Sequence, residues 1–374
     1  MAPTRRSARS DAPVADTAGE GVEHVADKTR KTLDNVADET RETLEIVADK
    51  GHKATDEIAA VVEQSKPSRS GCGGLSAVLH FPIVAALSFC MASLGYSLVG
   101  ELSKGQLAAL SRSQDTWGEV AVLAGWRLTE LALAWFGSLD ALDVAMLDLL
   151  SHGPTLFLMT AFYSLSPNTA VSALLVDVLA AAVPFAILRP LSNIHRPSAK
   201  VPNRELIDLS LQMCTTAMST GIYTVILVLS LRFLLPRILI LHFSGLPTLE
   251  PAYTASYSAV LPATAIFGAA ASAFIFAPFA TTGKSAEDEA ASQFDPVTAS
   301  LKETVRWNVW GYTTKTKVIV RRTAAVMLLT GVNTYLACTK TMYGVESCGA
   351  IWYAAVWVVA ALFTGVGLGL VGGD

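Results

Sequence analysis

From Leu75 onward the chain is a succession of apolar runs, each close to the roughly 20 residues needed to cross a bilayer. Hydrocarbon offers backbone N–H and C=O groups no partner, so a chain written this way must fold as helices or as a closed barrel. The runs are long and unbroken and do not alternate, which predicts helices. Spans are expected at about 76–99, 120–137, 141–164, 170–189, 209–231, 255–280, 323–339 and 350–371. The third is interrupted by Gly153-Pro154, which leaves open whether it is one continuous span or an amphipathic segment followed by a short re-entrant piece. The apolar stretch Phe233 to Phe243 contains Arg237 and Pro236 and is expected at the interface. Only 16% of the residues are charged, against about 25% in soluble domains. The net charge of −4 argues against a nucleic-acid partner. The fold class is therefore all-α, a polytopic membrane helix bundle of about eight spans with the lipid bilayer as its main partner.

The region Val120 to Pro190 carries the residues that most need explaining. Arg127, Glu130, Asp143, Asp148, His152 and Asp177 lie inside it. A charge in hydrocarbon needs a partner, a wet cavity or a function. Helix rise places Arg127 and Asp177 at similar depth, which predicts an Arg127–Asp177 pair. Glu130 and His152 fall near mid-depth and are expected in contact. Asp143 is expected near a boundary, within reach of water, and Asp148 as a second partner for Arg127. One reading makes these groups packing devices. The other makes them a polar pathway for protons, ions or a small polar solute, with His152 as a relay.

The first part of the chain has a different grammar. Val-Ala-Asp recurs at 14–16, 25–27, 36–38 and 47–49, a repeat of 11 residues that keeps one helix face in a constant direction. Residues 1–13 are expected as a disordered basic start, 14–64 as an amphipathic helix, and 65–74 as a flexible linker. Cys72, beside the first span, is a candidate for lipidation. The 14–64 segment holds six Lys/Arg against thirteen Asp/Glu, a poor match to anionic lipid. It is open to a solvated or coiled-coil arm with a protein partner, or to reversible lipid contact. These repeats resemble those of late-embryogenesis-abundant proteins, apolipoproteins and perilipins.

The membrane region is expected as spans one to six in 75–281, a loop with an interfacial helix in 282–322, and spans seven and eight in 323–374. The loop helix is expected at about 297–312, started by Asp295-Pro296, with Trp307 and Trp310 as headgroup anchors. Thirteen Lys/Arg fall on one side of such a topology and five on the other. The richer side is then cytosolic, both termini lie there, and the endomembrane system is expected rather than the mitochondrion. Cys338 and Cys348 flank a short loop on the other side and are candidates for a disulfide. Gly365, Gly367 and Gly369, with Gly268, Ala269 and Ser272, have the small-residue spacing that lets helices approach closely in lipid. No catalytic, metal or cofactor signature is present. The expectation is a non-enzymatic organising component of an internal membrane, with a transporter or channel as the alternative.

Trp117-Gly-Glu-Val, Ala134-Trp-Phe-Gly, Leu150-Ser-His-Gly-Pro, Phe162-Tyr-Ser-Leu-Ser-Pro, Leu188-Arg-Pro and Arg306-Trp-Asn-Val-Trp-Gly-Tyr together resemble a family of fungal multi-spanning membrane proteins. The likeness covers about 75–374 and implies an integral membrane fold but no particular activity.

Overall fold

The computed structural model describes residues 75–372, except 197–201, 204–207, 284, 286–287 and 290–298. The expected 14–64 helix, the linker and Cys72 lie outside the described residues. Every named element is a helix, joined only by isolated bridges such as Ser111–Met342 and Phe243–Val345. The long helices are α1 (Leu75–Leu102), α3 (Trp117–Phe136), α4 (Ala141–Phe162), α5 (Pro167–Leu188), α6 (Leu209–His242), α8 (Tyr257–Thr281), α10 (Thr314–Leu336) and α11 (Ser347–Gly372). Short helices α2 (Gln106–Leu110), α7 (Glu250–Tyr253) and α9 (Leu301–Trp310) lie in the connections. The protein is a multi-pass membrane helix bundle.

Six of these helices are long and apolar enough on their own to cross a membrane, not the expected eight. The two that fall short, α3 and α10, have 20 and 23 residues, so length is not the reason. Composition is. Helix α3 carries Glu119, Arg127 and Glu130, and α10 carries Lys315, Lys317, Arg321 and Arg322.

The structure bears on three local points. Helix α4 runs unbroken through Pro154. Proline removes the N–H that would bond the carbonyl of Leu150. The Thr330 hydroxyl donates to that carbonyl (3.2 Å), Asn333 Nδ2 donates to Ser151 O (3.2 Å), and the Tyr353 hydroxyl donates to Pro154 O (2.6 Å). Thr330 thus replaces the hydrogen bond that proline takes away, and Asn333 and Tyr353 bind two further carbonyls of the same turn. The stretch Phe233 to Phe243 is helical up to His242: α6 continues through a π-turn at Ser230–Leu234, burying Leu235, Ile238 and Leu239. The loop helix α9 begins at Leu301, because Ser300 and Glu303 form a reciprocal capping box there. Leu301, Val305 and Trp307 are exposed on it, and the side chain of Trp310 lies outside the described residues.

The most extensive helix–helix contacts are α10 with α11, α6 with α8 and α4 with α5. Small residues make them possible. A Cβ on Gly268 would collide with the Thr220 backbone, and one on Gly365 with the Thr323 side chain. Hydroxyl pairs Thr215–Ser272 (2.9 Å) and Thr224–Thr264 (2.6 Å) bind α6 to α8. The main core is centred on Trp357, whose ring lies 4.7 Å from that of Phe267, with Tyr223 and Phe157 around it. The outward faces are apolar too: Val171, Leu175 and Leu179 form a half-exposed stripe on α5. That is the pattern of a surface made for lipid rather than water.

The connections gather into two sets. In one, the Arg112 N–H donates to Thr341 O (2.7 Å) and Gln114 Nε2 to Lys340 O (2.9 Å). In the other, Arg189 donates to the carbonyls of Trp135 (2.8 Å) and Leu139 (2.9 Å), with its guanidinium over the Trp135 ring.

Candidate functional site

The intramembrane charges meet between α1, α3, α4 and α5. Arg127 Nη1 donates to Asp148 Oδ1 (2.9 Å) and to Glu130 Oε2 (3.2 Å). Trp126 Nε1 donates to the other Glu130 oxygen (3.1 Å). These contacts follow from helix geometry: Trp126 and Glu130 are four apart on α3, and Arg127 and Glu130 three apart, so they share a face. Asp148 comes to them from α4.

The expected Arg127–Asp177 pair is corrected. Arg127 Nη2 reaches the main-chain carbonyl of Asp177 (3.3 Å), while the Asp177 carboxylate accepts the Tyr96 hydroxyl from α1 (2.8 Å). Tyr96 is a member of the site that depth arguments missed, because a tyrosine near a span end reads as an ordinary interface residue. The expected Glu130–His152 contact is one of neighbourhood. Ligand atoms of Glu130, Asp148 and His152 all lie within 4.8 Å of one another, but His152 Nδ1 is engaged by Ser151 Oγ (3.0 Å) and Asp148 O (3.2 Å). Asp143 does not reach water. It is 3% exposed and held by Arg322 of α10 in a two-pronged pair (2.6 and 2.9 Å). Arg322 also donates to Phe274 O (2.7 Å).

A cavity of about 390 Å³ adjoins the cluster. It extends from His152, Glu130 and Asp177 in the bundle to Leu107, Ser111 and Thr341 in the first set of connections. Beyond Arg127 and Asp148 a void of about 20 Å³ follows, room for one water molecule. Leu131, Val144, Leu147 and Leu329 wall it off. Past that apolar plug come Asp143–Arg322 and then, outside the spans, Asp140 with His195 (2.6 Å). Asp140, Asp148, Ser151 and Thr155 thus lie along one side of α4, with Asp143 and His152 turned to opposite flanks of it.

Asp140 and His195 are the titratable groups of this series outside the spans. Burial pushes the Asp140 carboxyl up, but hydrogen bonds from His195, the Asp143 N–H and the Ser192 N–H outweigh it and hold the group well below the usual carboxylate range. The hydrogen bond to Asp140 raises the His195 pKa above its ordinary value against the opposing effect of burial.

Two carboxylate–histidine groups are compact enough to hold a metal: Glu130, Asp148, His152 and Asp140, Asp143, His195. Each already has a guanidinium on one of its carboxylates, Arg127 in the first and Arg322 in the second, and that fixed positive charge opposes a cation. The expected disulfide is also corrected. Cys338 is buried in the π-turn Ala337–Thr341, whereas Cys348 is exposed at the start of α11, and both are free thiols.

No known protein family, curated protein or solved structure matches this chain.

Proposed function

We propose that the protein passes protons or a small polar solute across an internal membrane through the cavity between α1, α3, α4 and α5. The observation that carries this reading is a cavity of about 390 Å³ facing Glu130 and Asp177, with Asp148 beside it and one arginine among the three carboxylates. A group kept only for packing would be fully paired. Here even a protonated His152 leaves a surplus negative charge in a low-dielectric setting, which costs several kcal/mol (roughly, per ion) unless a proton or cation relieves it. This conformation is open toward the first set of connections and closed on the other side by Leu131, Val144, Leu147, Leu329 and the Asp143–Arg322 pair.

The same reading includes eight crossings. Helix α3 has Glu119 beside Arg112 and Lys340 at one end, and its Trp135 carbonyl beside Arg189 at the other. Helix α10 bonds Asp288 at Thr314 and runs to Lys340 beside Glu119. Both therefore join the two sets of connections. With the Arg189 set cytosolic, the cavity faces the lumen. The interfacial placement of α9, with Trp307 and Trp310 in the headgroup layer, belongs to this proposal, as does an endomembrane location.

Reconstitution into vesicles loaded with a pH-sensitive dye tests it. An imposed pH gradient should dissipate faster with the wild-type chain, and Asp177→Asn and His152→Gln should lower the rate while leaving folded protein in the bilayer. Wild-type vesicles no leakier than empty ones would refute it for protons. The competing reading is a non-enzymatic organising role, favoured by the two-pronged Asp143–Arg322 pair, which ties α4 to α10 without touching the cavity. Under it, removal of residues 1–64 should change where the protein resides or what it contacts, and the two variants should be silent.

A further inference from the structure

We propose that the cavity binds a small organic monocation, an amine carrying an apolar group, with Asp177 as its counter-charge. This rests on the pathway reading and names its cargo. The size suits such a ligand, since about 390 Å³ lies within the range of roughly 300–1,000 Å³ typical of small-molecule sites. The wall is mostly apolar, with Leu123, Leu156, Met159 and Ala173, and its charged groups, Arg127, Glu130 and Asp177 with His152, gather at one end.

Those polar groups are not equivalent. Glu130 and Asp148 are committed to Arg127. Asp177 lines the cavity, accepts the Tyr96 hydroxyl, and forms no ion pair with any described residue. It is the carboxylate left over when the charges are paired. Thr155, four residues after Ser151 on α4, also lines the cavity. It is 6% exposed, and its hydroxyl has no hydrogen-bond partner among the described residues. A helical threonine usually bonds the carbonyl four residues back. Here that carbonyl, Ser151 O, is taken by Asn333 Nδ2. With the charge of Arg127 met by Glu130 and Asp148, the site therefore offers a further carboxylate and a free hydroxyl, the set that an ammonium group satisfies.

The other charge classes fit less well. An anion meets a surplus of carboxylates. A bare calcium ion wants a shell of about six to eight oxygens, whereas at the charged end Glu130 is held by Arg127 and Trp126, which leaves the Asp177 carboxylate and the Thr155 hydroxyl as its main ligands. An amine brings its own apolar surface for Leu123, Leu156 and Met159, and the rings of Tyr96 and Trp126, both in the wall, add cation–π attraction.

Calorimetry on the purified full-length chain in detergent tests this with three probes: 2-phenylethylammonium, the neutral isostere 2-phenylethanol, and potassium chloride. The ammonium should bind, and the alcohol at least about tenfold more weakly, which is the 1.4 kcal/mol of a single lost charge interaction. Asp177→Asn should weaken ammonium binding by about tenfold or more and leave alcohol binding unchanged, because that carboxylate pairs with the ammonium alone. Tyr96→Phe, which leaves the carboxylate but removes its orienting hydroxyl, should have a smaller effect. Equal binding of amine and alcohol, potassium displacing the amine, an unaffected Asp177→Asn variant, or no amine binding at all would each overturn the assignment. Amine binding without amine flux in vesicles would keep the site and remove the pathway. Proton flux without amine binding would keep the pathway and remove the cargo.

Discussion

Arg127 and Asp177 show how differently two charges at one depth can be used. Arg127 is bound on every side, by Glu130, Asp148 and the Asp177 carbonyl. Replacing it with methionine leaves two buried carboxylates without their cation, and removal of one partner of a buried pair costs about 3–5 kcal/mol. Arg127→Met should therefore unfold well below the wild type in a detergent thermal scan, while Asp177→Asn, whose amide oxygen can still accept the Tyr96 hydroxyl, should stay close to it. An Arg127→Met variant as stable as the wild type would show that the carboxylates are already neutral. The cysteines give a second residue-scale outcome. Cys348 should react with a membrane-impermeant maleimide without prior reduction, and Cys338 only after denaturation, since one is exposed and the other fully buried. Release of both thiols only by a reductant would restore the disulfide that the spacing suggested.

At the scale of elements, what the sequence made legible was periodicity and spacing. What it hid was who supplies the missing partner. The helices were readable because apolar length decides them, and Gly268 and Ser272 marked a close helix contact without naming α6 as its partner. The continuity of α4 was not readable, because Pro154 signals a break and the support comes from Thr330, Asn333 and Tyr353, all about 180 or more residues later. Pairing by depth likewise could not choose between the carboxylate and the carbonyl of Asp177. The glycine contact makes a direct prediction. Gly268→Val must push its side chain into the Thr220 backbone, which cannot rotate away, and overpacking of this kind costs about 1–3 kcal/mol. A lowered melting temperature checks it. The connection after α5 makes another. His195 has a raised pKa, so its contribution to holding that connection is complete below about pH 6.5 and fades as pH rises through the raised value. Asp140 has a lowered one, so its contribution is present above about pH 4 and is lost only as pH falls below that. Asp143 and Arg322 also act on His195, one raising and one lowering its pKa. The connection should be most protected between those limits. An NMR titration should put the His195 ring above its ordinary value, and Asp140→Asn should bring it back down.

The whole molecule poses one question that composition answers wrongly if taken helix by helix. Six helices qualify for the membrane alone, and α3 and α10 do not. Yet a helix need not be apolar throughout if its charges are met by other helices, and those of α3 and α10 are met in this way at Arg127–Asp148 and Arg322–Asp143. If α3 stayed on one side, its two ends would share that side, and the bonds linking Glu119 to Arg112 and Trp135 O to Arg189 would have to form in one aqueous phase. The two arrangements separate cleanly by labelling. Cysteines introduced singly as Ser113→Cys, before α3, and Ser138→Cys, after it, in a background without native thiols, should react with an impermeant reagent from opposite faces of sealed vesicles. Both positions are exposed, so failure to label would not come from burial. Labelling of both from the same face would leave α3 short of a crossing. It would also dismantle the pathway, because Arg127 and Glu130 would then no longer sit within the thickness of the membrane.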